Sequence, residues 1–337
     1  MTGSLAKLEQ PQEDIQSWPP SGRDWMDDVF ICPKTGGTLH DGYVVEDGIL
    51  RAFVDDEAET DRVSGTVKSF YEDAPFPNYN DFDSIGSFIK SARSNIFVKM
   101  LGGEIAKGQV VLEVGCGTGQ LSNYLAATSF ARVIAADMTM ASLRLGVRFA
   151  RNNHISRVRF VQMNLFRPCI RPGTVDVLIS NGVLHHTADT RKAFGCAAKL
   201  VKSGGHLVIG LYNTIGRLHT DMRRSLYKAF GPSVLGLDPH LRKNISPEKR
   251  RAWIRDQYEH PCERKHRMDE VLRWFSEENV EFVSSVPSIG EPFSDRERLF
   301  EKRSPGSRAE RFLAEAGMLF GSYGGEGGLF IMIGRKK

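Results

Sequence analysis

The sequence predicts an α/β protein built on one doubly wound, mostly parallel sheet of seven strands. Apolar, strand-like runs alternate with amphipathic helical segments between residues 110 and 212, which is typical of parallel strands joined by helices. The run 110–114 is almost continuously apolar, as expected of a strand buried on both faces, and a glycine-rich turn follows it. The predicted strands are 110–114, 131–137, 158–164, 175–181, 206–212, 280–283 and 328–334.

Helices are predicted between these strands from the spacing of the apolar residues. The predicted helices cover 85–101, a segment from 121 onward, 140–152, 190–201, 268–279 and a last segment around Phe312. Ser203, Gly204 and Gly205 are expected to end the helix that begins at Thr190. The segment 213–265 is charged and helical, and it interrupts the alternation of strands and helices.

The turn after the first strand predicts a site for a nucleotide-like ligand without phosphate. Gly115, Gly117 and Gly119 alternate with small residues, so the backbone can turn sharply and approach a ligand closely. A dinucleotide site needs Gly-x-Gly-x-x-Gly, but the third glycine comes one position early here, and the Lys-Ser/Thr pair of a phosphate loop is absent. Glu113 would repel a phosphate and suits a cationic ligand. A plain glycine turn at a strand end is the alternative.

This pattern resembles the first motif of class I S-adenosylmethionine (SAM) methyltransferases, and the wider layout resembles the quinone-biosynthesis-like, type 11 group. The resemblance implies a Rossmann-like sheet with a reversed last strand, SAM as cofactor and S-adenosylhomocysteine as its product. Sequence motifs carry the resemblance over residues 85–212. Over residues 266–337 only the order of the predicted helices and strands carries it. The implied cofactor-binding residues are Glu113, Gly115, Cys116, Gly117, Gly119, Gln120, Asp137, Met138, Asn164, Leu165 and Asn181.

Three of these residues have roles that can be stated separately. Asp137 ends the second strand, where a carboxylate can accept both ribose hydroxyls. Asn164 ends the third strand, where family members have an Asp or Asn that accepts a hydrogen bond from the adenine amino group. The next residue, Leu165, is expected to pack on the adenine ring. A helix N-cap is the alternative for Asp137, and a loop cap is the alternative for Asn164. Asn181 is expected to contribute at the methionine end of the cofactor.

The candidate catalytic residues are three histidines. His185 and His186 lie in a segment that resembles the family's fourth motif, and either could act as a general base near neutral pH. Because neighbouring side chains point in different directions, at most one of them serves the substrate, and packing on the cofactor side is an equal alternative. His260, in the insertion, is a candidate substrate-side base or orienting group, and a helix-ending turn at Pro261 is the alternative.

The candidate substrate-binding residues are Tyr71, Tyr79, Tyr212 and Tyr258. Tyr71 or Tyr79 could close the SAM pocket, but packing of the linker on the core is the favoured alternative for each residue. A metal site formed by His260, His266 and the nearby glutamates is not expected, because the histidines lack the i, i+4 spacing of a helical pair. The predicted site therefore contains no metal.

The predicted organisation has six segments. They are a flexible tail (1–27), a small β-rich module (28–62), a linker with a cap helix (63–102), the SAM-binding core (103–212), a helical substrate-side insertion (213–265) and a C-terminal completion of the sheet (266–337). The β-rich module resembles a zinc ribbon, but Thr35 stands where a second cysteine would be, so no zinc is expected. A plain β-hairpin is the alternative.

Composition narrows the class of protein. The chain has 337 residues, of which 41% are hydrophobic and 26% charged, as in ordinary soluble domains. The five scattered cysteines do not suggest a disulfide framework. The sequence shows neither a signal-peptide layout nor an apolar run of about 18 residues, so a cytoplasmic protein without membrane contact is expected. A net charge of +4 does not require a nucleic-acid partner.

The function predicted from these features is transfer of a methyl group from SAM to the O, N or C atom of a small molecule, such as a secondary metabolite or a quinone-like compound. Two alternatives remain open. An RNA (tRNA) or protein methyltransferase could use the basic cluster at 241–243 and 249–255, which is otherwise a solvated helix face. A non-catalytic SAM-binding partner subunit is the second. A homodimer is compatible with all of these.

Overall fold

One sheet organises the described part of the chain. The computed structural model describes residues 25–39, 43–54, 60–72, 79, 84–242, 246–293, 298–321 and 327–337. The strands are β1 (Val44–Glu46), β2 (Ile49–Arg51), β3 (Val110–Val114), β4 (Arg132–Asp137), β5 (Val158–Gln162), β6 (Val175–Asn181), β7 (Val201–Tyr212), β8 (Val280–Val286) and β9 (Leu329–Lys336). Most of the predicted tail, the aromatic segment 73–78 and Lys243 of the basic cluster lie outside the described residues.

The strand order is β1-β2-β5-β4-β3-β6-β7-β9-β8. The six strands from β2 to β7 in this order are parallel to one another. In contrast, β1 is antiparallel to β2, and β9 is antiparallel to both β7 and β8. The predicted doubly wound, mostly parallel sheet and its reversed last strand are therefore confirmed. Seven strands correspond to the predicted ones, and the hairpin β1–β2 extends the sheet at the β5 edge.

The helices flank the sheet and cover its apolar strands. They are α1 (Trp25–Val29), α2 (Thr60–Glu72), α3 (Ile85–Ser94), α4 (Ile96–Glu104), α5 (Gln120–Thr128), α6 (Met140–Asn152), α7 (Thr190–Leu200), α8 (Leu218–Phe230), α9 (Pro247–Tyr258), α10 (Met268–Glu277) and α11 (Arg308–Gly317). Every residue of β3 is buried, because both faces of this central strand carry apolar side chains against helices. Two apolar clusters fill the space between the helices and the sheet. None of the described helices is long and apolar enough to cross a membrane.

The N-terminal module differs from its prediction. Asp28 and Val29 belong to helix α1 rather than to a strand, because Met26 and Val29 are spaced to bury the same helix face. The hairpin is an edge of the main sheet, since Ile49 on β2 pairs with Phe160 on β5. Residues 28–29 are therefore helical, contrary to the β-rich prediction, whereas β1 and β2 of the same module form a hairpin.

Two further boundaries differ from the sequence prediction. The predicted helix 85–101 is broken at Asn95, whose side chain accepts a hydrogen bond from the backbone N–H of Val98 (3.2 Å) and caps a second helix. Strand β7 begins at Val201, because Gly204 and Gly205 lie within it rather than ending a helix. A Cβ at Gly205 would lie 2.8 Å from the carbonyl oxygen of Asp176, so glycine allows the close approach of β6 there.

Candidate active site

A cavity of about 360 Å³ opens at the carboxyl ends of β3, β4 and β6. This is the edge at which open α/β sheets bind ligands, and the volume suits a small molecule. Helices α2 and α9 form its opposite wall through Tyr71 and Asp256. The lining includes ten of the eleven predicted cofactor-binding residues, namely Glu113, Gly115, Cys116, Gly117, Gln120, Asp137, Met138, Asn164, Leu165 and Asn181.

The glycine turn is closed by backbone hydrogen bonds and by one carboxylate. Gly115 has φ +70° and Gly117 φ +54°, conformations that other residues rarely adopt. The backbone N–H of Gly115 donates to the carbonyl oxygen of Ala136 (2.8 Å), and the N–H of Gly117 donates to Asp137 Oδ2 (2.8 Å). Gly119 does not line the cavity, and it is the left-handed N-cap of α5. Asp137 therefore positions the loop as well as facing the cavity.

Gly115→Ala is expected to weaken ligand binding in this cavity at least about tenfold. A Cβ at residue 115 would lie 2.3 Å from Val183 Cγ1, so the loop or the Val183 side chain must move into the cavity. Gly173→Ala is the matched control, because Gly173 has the same φ of +70° but a Cβ there meets no atom within 4 Å. Both variants have the same backbone strain, and calorimetry should separate them. Equal ligand affinities would contradict this packing argument.

The cavity is acidic. Glu113, Asp137 and Asp256 line it, and none of the described lining residues is a lysine or an arginine. Glu113 Oε2 accepts hydrogen bonds from the backbone N–H (2.9 Å) and hydroxyl (2.5 Å) of Ser122, and burial raises the pKa of Glu113 to about 7. Burial also raises the pKa of Asp137. A cation would stabilise both ionised carboxylates, whereas a phosphate would be repelled, so the lining fits SAM with its sulfonium and ammonium groups.

Comparison with known proteins agrees with a cavity that binds SAM. Residues 112–209 match the family model of the methyltransferase domain. The chain contains a class I SAM-dependent methyltransferase domain. Its order of parallel strands with a reversed β9, and its glycine turn between β3 and α5, are those expected of that family.

Three known proteins illustrate what this chain is similar to. An uncharacterised protein of Synechococcus is 28% identical over 221 residues, which is 58% of this chain and 51% of that protein. A ubiquinone biosynthesis O-methyltransferase of Pectobacterium carotovorum is 29% identical over 153 residues, 44% of this chain and 61% of that enzyme. A magnesium protoporphyrin IX methyltransferase from Synechocystis, solved with bound S-adenosylhomocysteine, has 14% identity and a TM-score of 0.47, with 82% of this chain and all of that chain covered. The chain thus spans about half the length of its first curated relative.

Two amide side chains of the methyltransferase domain line the cofactor part of the cavity. Asn164 Oδ1 accepts from the backbone N–H of Phe166 (3.0 Å), and its Nδ2 donates to the carbonyl oxygen of Val54 (3.1 Å). It therefore joins two loops, and its predicted contact with adenine would use the second lone pair of Oδ1. The side chain of Asn181 packs directly on Gly210 of β7. A Cβ at residue 210 would lie 1.9 Å from Asn181 Oδ1, so only glycine leaves room for this amide. The predicted cofactor roles of both residues remain predictions.

The adjacent histidines of the methyltransferase domain occupy different environments. His185 is fully buried against the ring of Tyr212 (centroids 4.2 Å apart), and burial lowers its pKa well below the usual value. Only His186 lines the cavity. Its Nδ1 lies 2.7 Å from the carbonyl oxygen of Cys262, in the loop that follows α9. Of this pair, His186 is the one placed to meet a substrate.

His260 lies behind His186 rather than on the cavity surface. The two imidazole centroids are 3.8 Å apart, and the His260 ring also contacts Phe70 and Tyr71 of α2. The backbone N–H of Cys262 donates to His260 Nδ1 (3.1 Å). Burial lowers the pKa of His260 to about 2, so this ring is neutral at physiological pH.

The four candidate tyrosines divide into two pairs. Tyr71 and Tyr212 line the cavity, and the Tyr71 hydroxyl donates to Asp256 Oδ1 (3.0 Å). Tyr79 lies beneath the glycine turn, where its hydroxyl donates to the carbonyl oxygen of Thr118 (2.9 Å). Tyr258 donates to Asp238 Oδ2 (2.8 Å) in a separate apolar cluster of the insertion. Neither Tyr79 nor Tyr258 is among the residues that line the cavity.

Sequence reasoning missed Asp256, which lines the cavity, and two residues that support its surroundings, Glu72 and Arg217. Asp256 holds the Tyr71 hydroxyl, and Glu72 accepts from the backbone N–H groups of Met140 (2.9 Å) and Ala141 at the start of α6. Arg217 is fully buried, pairs with Glu263 (2.8 Å), and its guanidinium carbon lies 3.8 Å from the centroid of Tyr212. These partners are far apart in the sequence, and no local spacing pattern relates them. In the described ranges, no group of three or more His, Cys, Asp or Glu side chains is arranged to hold a metal ion.

Proposed function

We propose that the chain is a SAM-dependent methyltransferase that acts on a small-molecule acceptor. The main support is an acidic cavity, without lysine or arginine among its described lining residues, next to the glycine turn of a methyltransferase domain. The wall that would face the methyl acceptor, called the acceptor wall, consists of Tyr71, His186, Tyr212 and Asp256. These side chains combine aromatic surface with hydrogen-bonding groups. Such a lining suits a small organic molecule. The O-methyltransferase activity named for a relative is consistent with this proposal.

Positioning would provide much of the rate enhancement. SAM supplies a methyl group on a positively charged sulfur, and the transfer is an in-line displacement. Gly115 and Gly117 allow close approach of the backbone to the amino-acid tail, and Asp137 accepts from the ribose hydroxyls. Because positive charge is lost from the sulfur during transfer, the site needs no oxyanion hole, and correct alignment dominates. His186 is the candidate acceptor of a proton, where the nucleophile must lose one.

The test is a transfer assay with methyl-labelled SAM and a cell metabolite extract. After incubation with the full chain, the label is expected in the dialysable fraction, where mass spectrometry identifies the product. At a SAM concentration near the dissociation constant of the unmodified chain, Gly115→Ala should reduce this label in parallel with SAM binding. Label in the RNA or protein fraction would overturn the small-molecule proposal. SAM binding without transfer to any fraction would instead indicate a partner subunit.

SAM affinity is expected to fall as the pH is lowered through about 7. The pKa of Glu113 is raised to about 7 by burial, so in the free protein this carboxyl gains a proton near that pH. Bound SAM, as a cation, favours the ionised form and lowers that pKa, so each pH unit below about 7 should weaken binding by up to tenfold until the bound-state pKa is reached. Calorimetry of the unmodified chain and of Glu113→Gln across this range gives the measurement. Identical pH profiles for the two would contradict this assignment.

A further inference from the structure

Helix α8 turns its polar side towards the protein and its apolar side towards solvent. On the inward side, Arg224 pairs with Glu263 (2.7 Å), and the Tyr227 hydroxyl donates to Glu259 (2.9 Å). Within α8, which is described throughout, Thr220 is the one buried residue, and it is polar. A surface helix normally has the reverse arrangement, with its apolar stripe on the core and its polar face in water. The orientation of α8 therefore needs an explanation outside the chain's own core.

The outward side of α8 carries an apolar stripe, called the α8 stripe. Its four members recur at intervals of four positions: Leu218, Met222, Leu226 and Phe230. Because successive helical residues are about 100° apart, these side chains lie within an arc of about 120°. Leu218 is 51% exposed, Met222 58% and Phe230 67%. Apolar surface of this kind, gathered on one face, marks an interaction site.

The insertion that contains the α8 stripe is strongly basic. Residues 213–265 include twelve lysines and arginines and six acidic residues, a net charge of +6, whereas the whole chain carries only +4. Three of the acidic side chains bind partners within the insertion, namely Asp221, Asp238 and Glu263. Exposed basic residues of this segment include Lys228, Arg242, Arg250 and Arg251. The outer surface of the insertion therefore combines positive charge with apolar side chains.

We propose that the α8 stripe and the basic residues around it dock the protein on an anionic lipid surface. Leu218, Met222 and Phe230 enter the boundary between headgroups and acyl chains, while the lysine and arginine side chains bind lipid phosphates. Long basic side chains reach such phosphates from the margins of an apolar face. We therefore revise the expectation that the protein makes no membrane contact, because docking on a lipid surface needs no spanning helix.

Charge and apolar surface together distinguish a lipid surface from other partners. A second copy of the chain, related by a two-fold axis, would place the same basic insertion opposite itself, and like charges repel. RNA has phosphates for the basic side chains, but it would leave Leu218 and Met222 in water. An anionic bilayer offers phosphates to the cations and an apolar layer to the stripe, so it satisfies both features.

Vesicle sedimentation of the full chain tests this docking. The protein should bind vesicles made of phosphatidylglycerol and phosphatidylcholine in equal parts, more weakly as salt is raised, and should not bind phosphatidylcholine alone. Phe230→Ser should weaken binding about tenfold, because an apolar ring no longer leaves water. Phe130→Ser is the matched control, since Phe130 is 61% exposed but lies between α5 and β4, outside the insertion. Equal binding by the two variants, or no binding of the unmodified chain to anionic vesicles, would overturn the proposal.

A gained signal and two competing outcomes complete the test. Phe230→Trp should show a blue shift of its additional fluorescence when anionic vesicles are added, because the indole leaves water, whereas Phe130→Trp should not. Loss of a dimer on Phe230→Ser, seen by analytical ultracentrifugation, would show that a second copy covers the stripe and would contradict lipid docking. Tighter binding of polyuridylic acid than of anionic vesicles, unchanged by Phe230→Ser, would contradict it in favour of RNA. These measurements need no SAM, so their result does not depend on the proposed function.

Discussion

Asp137→Asn should weaken SAM binding about 100-fold. The carboxylate would accept two ribose hydroxyls, and hydrogen bonds to a charged group contribute about 1.5–3 kcal/mol each. Asp137 also accepts from the backbone N–H of Gly117 (2.8 Å) and from the N–H and hydroxyl of Thr139. If the new amide oxygen at residue 137 keeps the hydrogen bonds from Thr139, its NH₂ group lies next to the backbone N–H of Gly117. Two donors then face each other, and the hydrogen bond from Gly117 is lost. The substitution therefore damages the loop as well as the ribose contact.

Asp189→Asn is the matched control for this measurement. Asp189 is the N-cap of α7, where its side chain accepts from the backbone N–H of Lys192 (2.9 Å). Asparagine caps helices about as well as aspartate, and Asp189 does not line the cavity. Calorimetry should show unchanged SAM affinity for this variant. An Asp137→Asn protein that binds SAM as tightly as the control would contradict the ribose assignment.

Glu263→Gln should lower the free energy of unfolding by about 3 kcal/mol, because removing one partner of a buried ion pair leaves the other charge uncompensated. The side chain of Glu263 is 3% exposed, and its Oε2 binds both Arg217 (2.8 Å) and Arg224 (2.7 Å). Arg217 has no exposed side-chain surface and packs over the ring of Tyr212. The loss should therefore also loosen the acceptor wall.

Urea denaturation followed by circular dichroism measures this effect. Glu277→Gln provides the comparison, since Glu277 pairs with Arg191 (2.8 Å) but its side chain is 55% exposed. Surface pairs of this kind contribute little to stability, so the denaturation midpoint should barely move. Equal midpoints for the two variants would show that the buried ion pair does not contribute to the stability of the fold.

The cofactor side of the cavity could be predicted from sequence because its determinants are local. Gly115 and Gly117 follow directly on β3, and Asp137 ends β4, so the rule that parallel strands end at one edge brings them together. The apolar runs likewise define the central strands, because each strand buries both faces. Gly205 of β7 misled the prediction, because close packing against Asp176 of β6, rather than the end of a helix, requires a glycine there.

The acceptor side depends on contacts that no spacing pattern records. His186 meets Cys262 across 76 positions, and Tyr71 meets Asp256 across 185. These contacts exist only once the insertion has folded back over the carboxyl edge of the sheet. The sequence therefore suggested His186 and His260 as separate candidates, whereas the structure brings their rings to 3.8 Å and joins them through one backbone residue.

The most direct test of the central claim is a calorimetric titration of the full chain with SAM and, separately, with NAD⁺ at a pH above about 8, where Glu113 is ionised. The acidic cavity predicts saturable binding of SAM and no detectable binding of the dinucleotide, whose pyrophosphate the carboxylates would repel. Binding of NAD⁺ with comparable affinity, or no binding of SAM, would contradict it.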